Sequence, residues 1–438
     1  MNFMILHITS LAIACVISTV SAACSSPAGI DNSVQHEFEA DGKTLTAPAK
    51  VMPGIEVLRE DGFKALQGKR VGLITNPTGI DNSLRATIDI LAAAPGVKLT
   101  ALFAPEHGVR GNYTAGASVA NEVDAATGVP VYSLHGRTRK PTAEMLRDVD
   151  VLVYDIQDIG CRSYTFISTM GLAMEAASQS GKEFMVLDRP NPLGGLRVEG
   201  PLVNADCRSF VSQYPIPYVY GLTPGELAEY LNDSGLIGAK KVALTVVPMK
   251  GWHRDMTFEM TGMPWVPTSP HIPTTDAALL YPATGIMGEL DYVSIGVGYT
   301  LPFSLAGAPW VDASKLSSAL TALQLPGIEF RPLYYRPYYA KFKEQTVGGV
   351  QIYVTDSATA QLSTLQFYIM QELVRLYPSH KPFASATAAQ LDMFDKVCGS
   401  KLVRQRFAQA YRVDDILPLW TEQADKFRSA SAKYHIYK

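Results

Sequence analysis

The stretch "VDVLVYDIQDIG", residues 149–160, decides how the rest of the chain is read. Val151 to Tyr154 is continuously apolar and then stops on Asp155, Gln157 and Asp158. A run that short and that apolar reads as a strand buried on both faces. Strands of this kind belong to parallel sheets with helices packed on either side. Working outward, the same texture recurs in RVGLITN (70–76), VKLTALFAPEHG (97–108), VPVYSLHG (129–136), KEFMVLDRPNP (182–192) and KVALTVVPM (241–249). Helical patterns fall between most of them: 83–94, 142–149 and 168–181, the last stopping at Gly181. Residues 223–235 open with Thr223, Pro224 and Glu226, a capping box with proline at the first helical position. The expected fold is α/β: a Rossmann-like, mostly parallel sheet domain.

In such sheets ligands collect at the carboxyl ends of the strands. Four of the predicted strands end on polar groups. Asn76 follows the first, Glu106 and His107 the second. Asp155, Gln157 and Asp158 follow the fourth, and Asp188, Arg189 and Asn191 the fifth. One sheet edge would gather them into a cleft of acids and hydrogen-bonding groups. Asp188 before Arg189-Pro190 also reads as a turn, and Asp155 as a buried acid satisfied by backbone donors. Glu106 is harder to explain structurally, because glutamate is a poor turn residue. His107 is read as a direct participant or as the group that orients Glu106. A carboxyl group at an apolar cleft edge can hold a proton and deliver it to a leaving oxygen, the first requirement of glycoside cleavage. Asp155 and Asp158 are the candidate electrostatic partners or nucleophiles.

Other chemistries have weaker support. No GxGxxG follows the first strand, so no dinucleotide is indicated. The chain lacks HExxH and GxSxG, and no cofactor is expected; a metal hydrolase built from Glu106, His107, Asp155 and Asp158 is the metal-dependent alternative. The net charge of -3 gives no electrostatic case for nucleic acid.

Residues 1–23 are apolar and end in small residues, the shape of a secretory signal peptide, with Cys24 as a candidate lipidated residue. Residues 24–48 read as a polar tether. The expected domains are then 49–270, the Rossmann-like catalytic domain, and 271–438, a smaller α/β domain entered through the proline-rich run 263–285. Strand-like 348–356 and helix-like 364–377 and 419–434 fill the second. Cys161, Cys207 and Cys398 allow one disulfide at most.

The blocks LITNPTGID (73–81), LFAPEHGVRG (102–111), DVLVYDIQDIGCRSYTFISTM (150–170) and VLDRPNPLGG (186–195) together resemble the NamZ-type exo-β-N-acetylmuramidases of bacteria. The similarity runs from about Gly54 to the C-terminal YHIY. The resemblance implies an active cleft between the two domains, with no metal or organic cofactor. It implies release of terminal, non-reducing N-acetylmuramic acid from β-1,4-linked MurNAc-GlcNAc glycans derived from peptidoglycan; the N-terminal segment separately leads to the expectation of an exported periplasmic or membrane-anchored protein. The resemblance places the acid in the PEHG block, at Glu106. The lactyl carboxylate of muramic acid calls for an arginine, with Arg162 and Arg189 the candidates, and Tyr164 or Trp252 would stack on a sugar. Asn76, Gln157, Asn191 and Glu289 complete the expected binding set. The run ELDYVSIGVGYT (289–300) departs from the family pattern, with Tyr292 and Val297 where asparagine and arginine are expected. The alternatives are a glycosidase for a different amino sugar, a non-catalytic lipoprotein that holds cell-wall fragments, and a metal-dependent deacetylase or esterase.

Overall fold

Each of the six expected strands of the sheet domain is present in the computed structural model, which describes residues 50–111 and 122–438. The expected signal segment and tether, residues 1–23 and 24–48, lie outside the described residues. The strands are β1 (Arg70–Thr75), β2 (Lys98–Ala104), β3 (Glu122–Val123), β4 (Pro130–Ser133), β5 (Val151–Asp155), β6 (Glu183–Leu187) and β7 (Ala243–Val247). Their order across the sheet is β3-β4-β2-β1-β5-β6-β7, and all neighbours are parallel except β3, which runs antiparallel to β4.

Side-chain alternation splits the strands between two cores. Leu73, Leu102, Val151, Val153 and Met185 point to one face, where Ile55 and Leu58 of α1 (Gly54–Glu60) and Ile88 and Leu91 of α2 (Thr87–Ala92) cover them. Ile74, Phe103, Leu152, Tyr154 and Phe184 point to the other, under α3 (Phe166–Gln179) and α4 (Pro224–Asp233). β5 is buried at every residue, as a central strand covered on both faces must be. The capping box on α4 forms as expected: Thr223 Oγ1 accepts from Glu226 N, and Glu226 Oε2 accepts from Thr223 N. Residues 142–149, expected to be helical, are instead a succession of turns.

Beyond residue 270 lie α5 (Thr275–Gly288), β8 (Leu305–Ala308), α6 (Ala313–Thr321), β9 (Ile328–Tyr335), β10 (Val347–Val354) and α7 (Leu362–Leu376). The three strands form an antiparallel sheet in the order β8-β10-β9. The core of this part takes Ile159, Cys161, Leu193, Tyr218 and Val219 from the sheet domain's loops. In return the C-terminal helix (Leu417–Ser431) carries Ala424 and Phe427 back beneath the large sheet. The two parts are therefore laced together through shared apolar cores. The three described cysteines are free and buried.

Candidate active site

Of the four predicted polar strand ends, that of β2 keeps an accessible acid, and the other three are sealed. The sheet order reverses between β1 and β5, the usual place for a ligand crevice in an open parallel sheet. Here that crevice is filled. Asp155, at the end of β5 and fully buried, accepts from Arg189 Nε at 2.5 Å and Nη2 at 3.0 Å, and from Thr87 Oγ1 at 2.5 Å. Arg189 is itself 2% exposed and also donates to Ile80 O. Neither the expected nucleophile Asp155 nor the expected substrate ligand Arg189 reaches solvent, because each neutralises the other.

The remaining predicted residues divide in the same way. Arg162 is fully buried and donates to five acceptors: Pro201 O, Ile216 O, Val397 O, Cys398 O and Ser212 Oγ. It clamps backbone carbonyls from distant parts of the chain and presents nothing to a substrate carboxylate. Asp158 receives Tyr220 Oη and Gly160 N, and burial pushes its carboxyl up to about 7. Asn76 accepts from Thr78 N and Oγ1, Gln157 donates to Asp158 O and Pro190 O, and Asn191 bridges Leu193 N and Leu222 O. All three side chains order the buried loops beneath the cleft. Asp188 fixes its turn and holds Gly225 N, Thr223 Oγ1 and Tyr437 Oη. Trp252 is 2% exposed and packs edge-on against Tyr437, so it is core rather than a sugar platform.

Glu106 is placed differently. β2 ends at Ala104, Pro105 turns the chain, and the Glu106 side chain stays 23% exposed. Its Oε2 accepts from Thr165 Oγ1 at 3.1 Å, immediately before α3. The parallel register Ala104↔Ser133 brings the end of β4 alongside, and His135 Nδ1 lies 3.9 Å from Glu106 Oε2. His107 follows with φ 76°, a left-handed backbone that turns its ring away from the strand direction. Burial depresses the His107 imidazole, with Glu106 opposing and His135 and His271 reinforcing that shift, so it is kept neutral near pH 7. His107 Nδ1 and His135 Nδ1 are both buried without a protein partner. One acid and two imidazoles thus meet where β2 and β4 end.

Ser163 and Tyr164 connect this region to the C-terminal part. Tyr164 donates to Thr268 Oγ1 at 2.9 Å and meets Tyr281 edge-on at 5.9 Å. Ser163 Oγ and Tyr281 Oη are 3.1 Å apart. Tyr281 lines a cavity of about 260 Å³ with Glu289, Ser294, Val297, Phe303 and Lys341. Glu289 follows α5 directly, and burial alone pushes its carboxyl up to about 7. His271 stacks on Tyr339 at 6.0 Å, two residues before Lys341. Tyr292 lines a neighbouring cavity, its hydroxyl donating to His380 O. Among the described residues no group of three His, Cys, Asp or Glu side chains is arranged to hold a metal ion.

Sequence reasoning overlooked His135, Thr165, His271 and Tyr281. His135 had a signal: it follows β4 as the chain's other polar strand ends follow theirs. His271 and Tyr281 lie in the proline-rich run that reads as a crossing between domains.

Comparison with known proteins identifies the family and the fold. The family model for the exo-beta-N-acetylmuramidase NamZ N-terminal domain matches residues 71–276, and that for its C-terminal domain matches residues 279–437. The chain is 44% identical over 420 residues to the peptidoglycan beta-N-acetylmuramidase NamZ of Bacillus subtilis (strain 168), covering 96% of each. Two DUF1343 family proteins of Bacteroides fragilis NCTC 9343 share the fold in crystal structures. One has a TM-score of 0.86 at 55% identity and the other 0.69 at 25% identity, each match covering 89% of this chain and 99% of theirs. The chain belongs to the NamZ family of exo-β-N-acetylmuramidases.

Proposed function

We propose that this protein is an exported, exo-acting glycoside hydrolase that removes terminal N-acetylmuramic acid from the non-reducing end of peptidoglycan-derived glycans. The observation that carries the reading is the placement of Glu106. It is the acid among the predicted strand-end groups that stays accessible, and Thr165 and His135 flank it. Glu106 is the proton donor to the leaving glycosidic oxygen. Membership of a muramidase family supports the sugar, and the apolar segment at residues 1–23 supports export.

The burial of Asp155 and Asp158 bears on the second half of the reaction. A retaining glycosidase needs a carboxylate nucleophile about 5–5.5 Å from its acid. Asp155 is held by Arg189 and Thr87, and Asp158 lies under Tyr220, so neither can approach an anomeric carbon. The 2-acetamido oxygen of the substrate is the remaining candidate nucleophile, with Glu106 first protonating the leaving group and then activating water.

The test is hydrolysis of para-nitrophenyl N-acetyl-β-muramide, with the glucosaminide for comparison, by wild type and Glu106→Gln. Muramide cleavage that falls by about 10²- to 10⁴-fold in the variant is the expected result. An active Glu106→Gln enzyme would remove Glu106 from the role. Cleavage of the glucosaminide alone would overturn the sugar.

A further inference from the structure

The cavity beyond Tyr281 contains one cation among its described lining residues, and that cation sits on an unusual loop. Residues 336–345 connect β9 to β10, and Ala340, Phe342 and Glu344 all have positive φ, at 62°, 59° and 62°. Each such residue costs about 1–3 kcal/mol and persists where surrounding contacts dictate it. Those contacts are present: Tyr338 N donates to Gly298 O, Glu344 N to Pro337 O and Arg336 Nε to Glu344 O. The loop is thereby closed on itself, with Lys341 at its crest. Lys341 lines the 260 Å³ cavity and the 430 Å³ cavity beside it, so it stands on the wall between them. Its ammonium lies 3.1 Å from Asp291 Oδ2, and both side chains are partly exposed, at 32% and 53%. A pair so exposed contributes little to stability and is readily exchanged.

The same cavity is linked to the acid through side chains on its wall. Ser163 touches Tyr281 on the cavity wall, and Thr165, two residues later, holds Glu106. On the other side, Tyr339, next to Ala340 of the cavity wall, stacks on His271. Val297, which also lines the cavity, brings no charge, and the buried Arg162 and Arg189 are fully engaged elsewhere. An acidic sugar seated here would find one positive group to meet its carboxylate.

We propose that Lys341 is the specificity-determining residue of this cleft: its ammonium leaves Asp291 and pairs with the carboxylate of a 3-O-lactyl amino sugar seated in the cavity beside Glu289. This rests on the reading of the site as a muramidase. Lys341 selects lactyl-bearing over lactyl-free sugars, while Glu106 performs the same protonation on either. As a flexible point charge, lysine follows a carboxylate that turns on its ether linkage, where a rigid arginine fork would require one fixed geometry.

The experiment compares full-length wild type, Lys341→Met and Lys341→Arg on the para-nitrophenyl β-muramide and β-glucosaminide. The ratio of the two kcat/KM values is expected to fall at least tenfold in Lys341→Met, through KM for the muramide, and to recover only in part in Lys341→Arg. An unchanged ratio, or equal loss on both substrates, would overturn the proposal. Calorimetric binding of free N-acetylmuramic acid and N-acetylglucosamine separates this proposal from the muramidase reading. If wild type cleaves neither substrate, preferential binding of the acidic sugar that disappears in Lys341→Met still supports Lys341 as its reader. Binding of both sugars alike, or of neither, overturns it.

Discussion

The Thr165 hydroxyl donates to Glu106 Oε2 at 3.1 Å and does not cap α3, the helix that begins at the next residue. A threonine immediately before a helix normally turns its oxygen onto the backbone N–H groups of the first turn. Here that hydroxyl fixes the carboxylate of a strand-end loop instead, and does so beside the positive end of a 14-residue helix.

Thr165→Val is nearly isosteric and removes only the hydroxyl. A hydrogen bond is worth about 0.5–1.5 kcal/mol, so losing the contact that orients Glu106 should lower the muramide kcat several-fold, up to roughly tenfold. Thermal stability should change little, since the hydroxyl caps nothing, and Thr165→Ser should restore the rate. A variant with full activity would show that Glu106 is positioned by its backbone alone.

Arg189 and Asp155 are predicted to matter for folding rather than for sugar binding. Arg189→Met leaves Asp155 as a fully buried carboxylate with only Thr87 for company. Breaking such a pair from one side costs about 3–5 kcal/mol, and replacing both members with apolar residues costs much less. Guanidinium denaturation of Arg189→Met, Asp155→Leu and the double variant checks this: each single change should lower the midpoint more than the pair of changes does. A stable Arg189→Met enzyme with a raised KM would instead return Arg189 to the substrate.

Much of this architecture was legible in the sequence, and what was not has a physical cause. Apolar runs such as Val151–Tyr154 announce a strand buried on both faces whatever surrounds them. The six parallel-sheet strands, α3, the capped α4 and α7 all follow from local pattern. The polar strand ends are equally visible, but their fates are not. Asp155 and Glu106 both follow an apolar strand, yet one is sealed by Arg189 and the other stays accessible. That difference comes from a residue 34 positions away in sequence, and from the order in which the strands lie. Arg162 shows the same limit: it looks like a ligand-binding arginine until Val397 and Cys398, more than 230 residues on, take its guanidinium.

The buried carboxyls predict how stability varies with pH. Burial raises Asp158, Asp188 and Glu289 to about 7 in the folded protein, from ordinary values of 3.8, 3.8 and 4.5. A group whose folded pKa lies above its unfolded one binds its proton more tightly when folded. Its contribution is complete below about pH 4 and is lost as the pH rises through 7. Burial lowers His107 and His271 from 6.5, which works in the opposite direction below that pH. The denaturation midpoint should therefore decline between about pH 6.5 and 8, above the range in which the histidines oppose the carboxyls. Asp158→Asn keeps an acceptor for Tyr220 and Gly160 N and removes one titrating group, so its midpoint should decline less. A decline as steep as in wild type would show that Asp158 is already ionised when folded.

Gly298 offers a way to disturb the Lys341 loop from outside it. Its φ is 91°, where a side chain is strained in any setting, and a Cβ there would lie 2.0 Å from Tyr339 O. Tyr338 N donates to the Gly298 carbonyl, so the glycine is the seat on which the loop rests. Gly298→Ala must push Tyr339 away, and with it both the stack on His271 and the placement of Lys341. The strain should cost about 1–3 kcal/mol of stability. Its kinetic effect should appear mainly in KM for the muramide, because Glu106 follows β2 and Thr165 precedes α3, elements that the change does not touch. Steady-state kinetics on the muramide and glucosaminide check this. Loss of kcat on both substrates with KM intact would place the loop in the chemical step rather than in recognition.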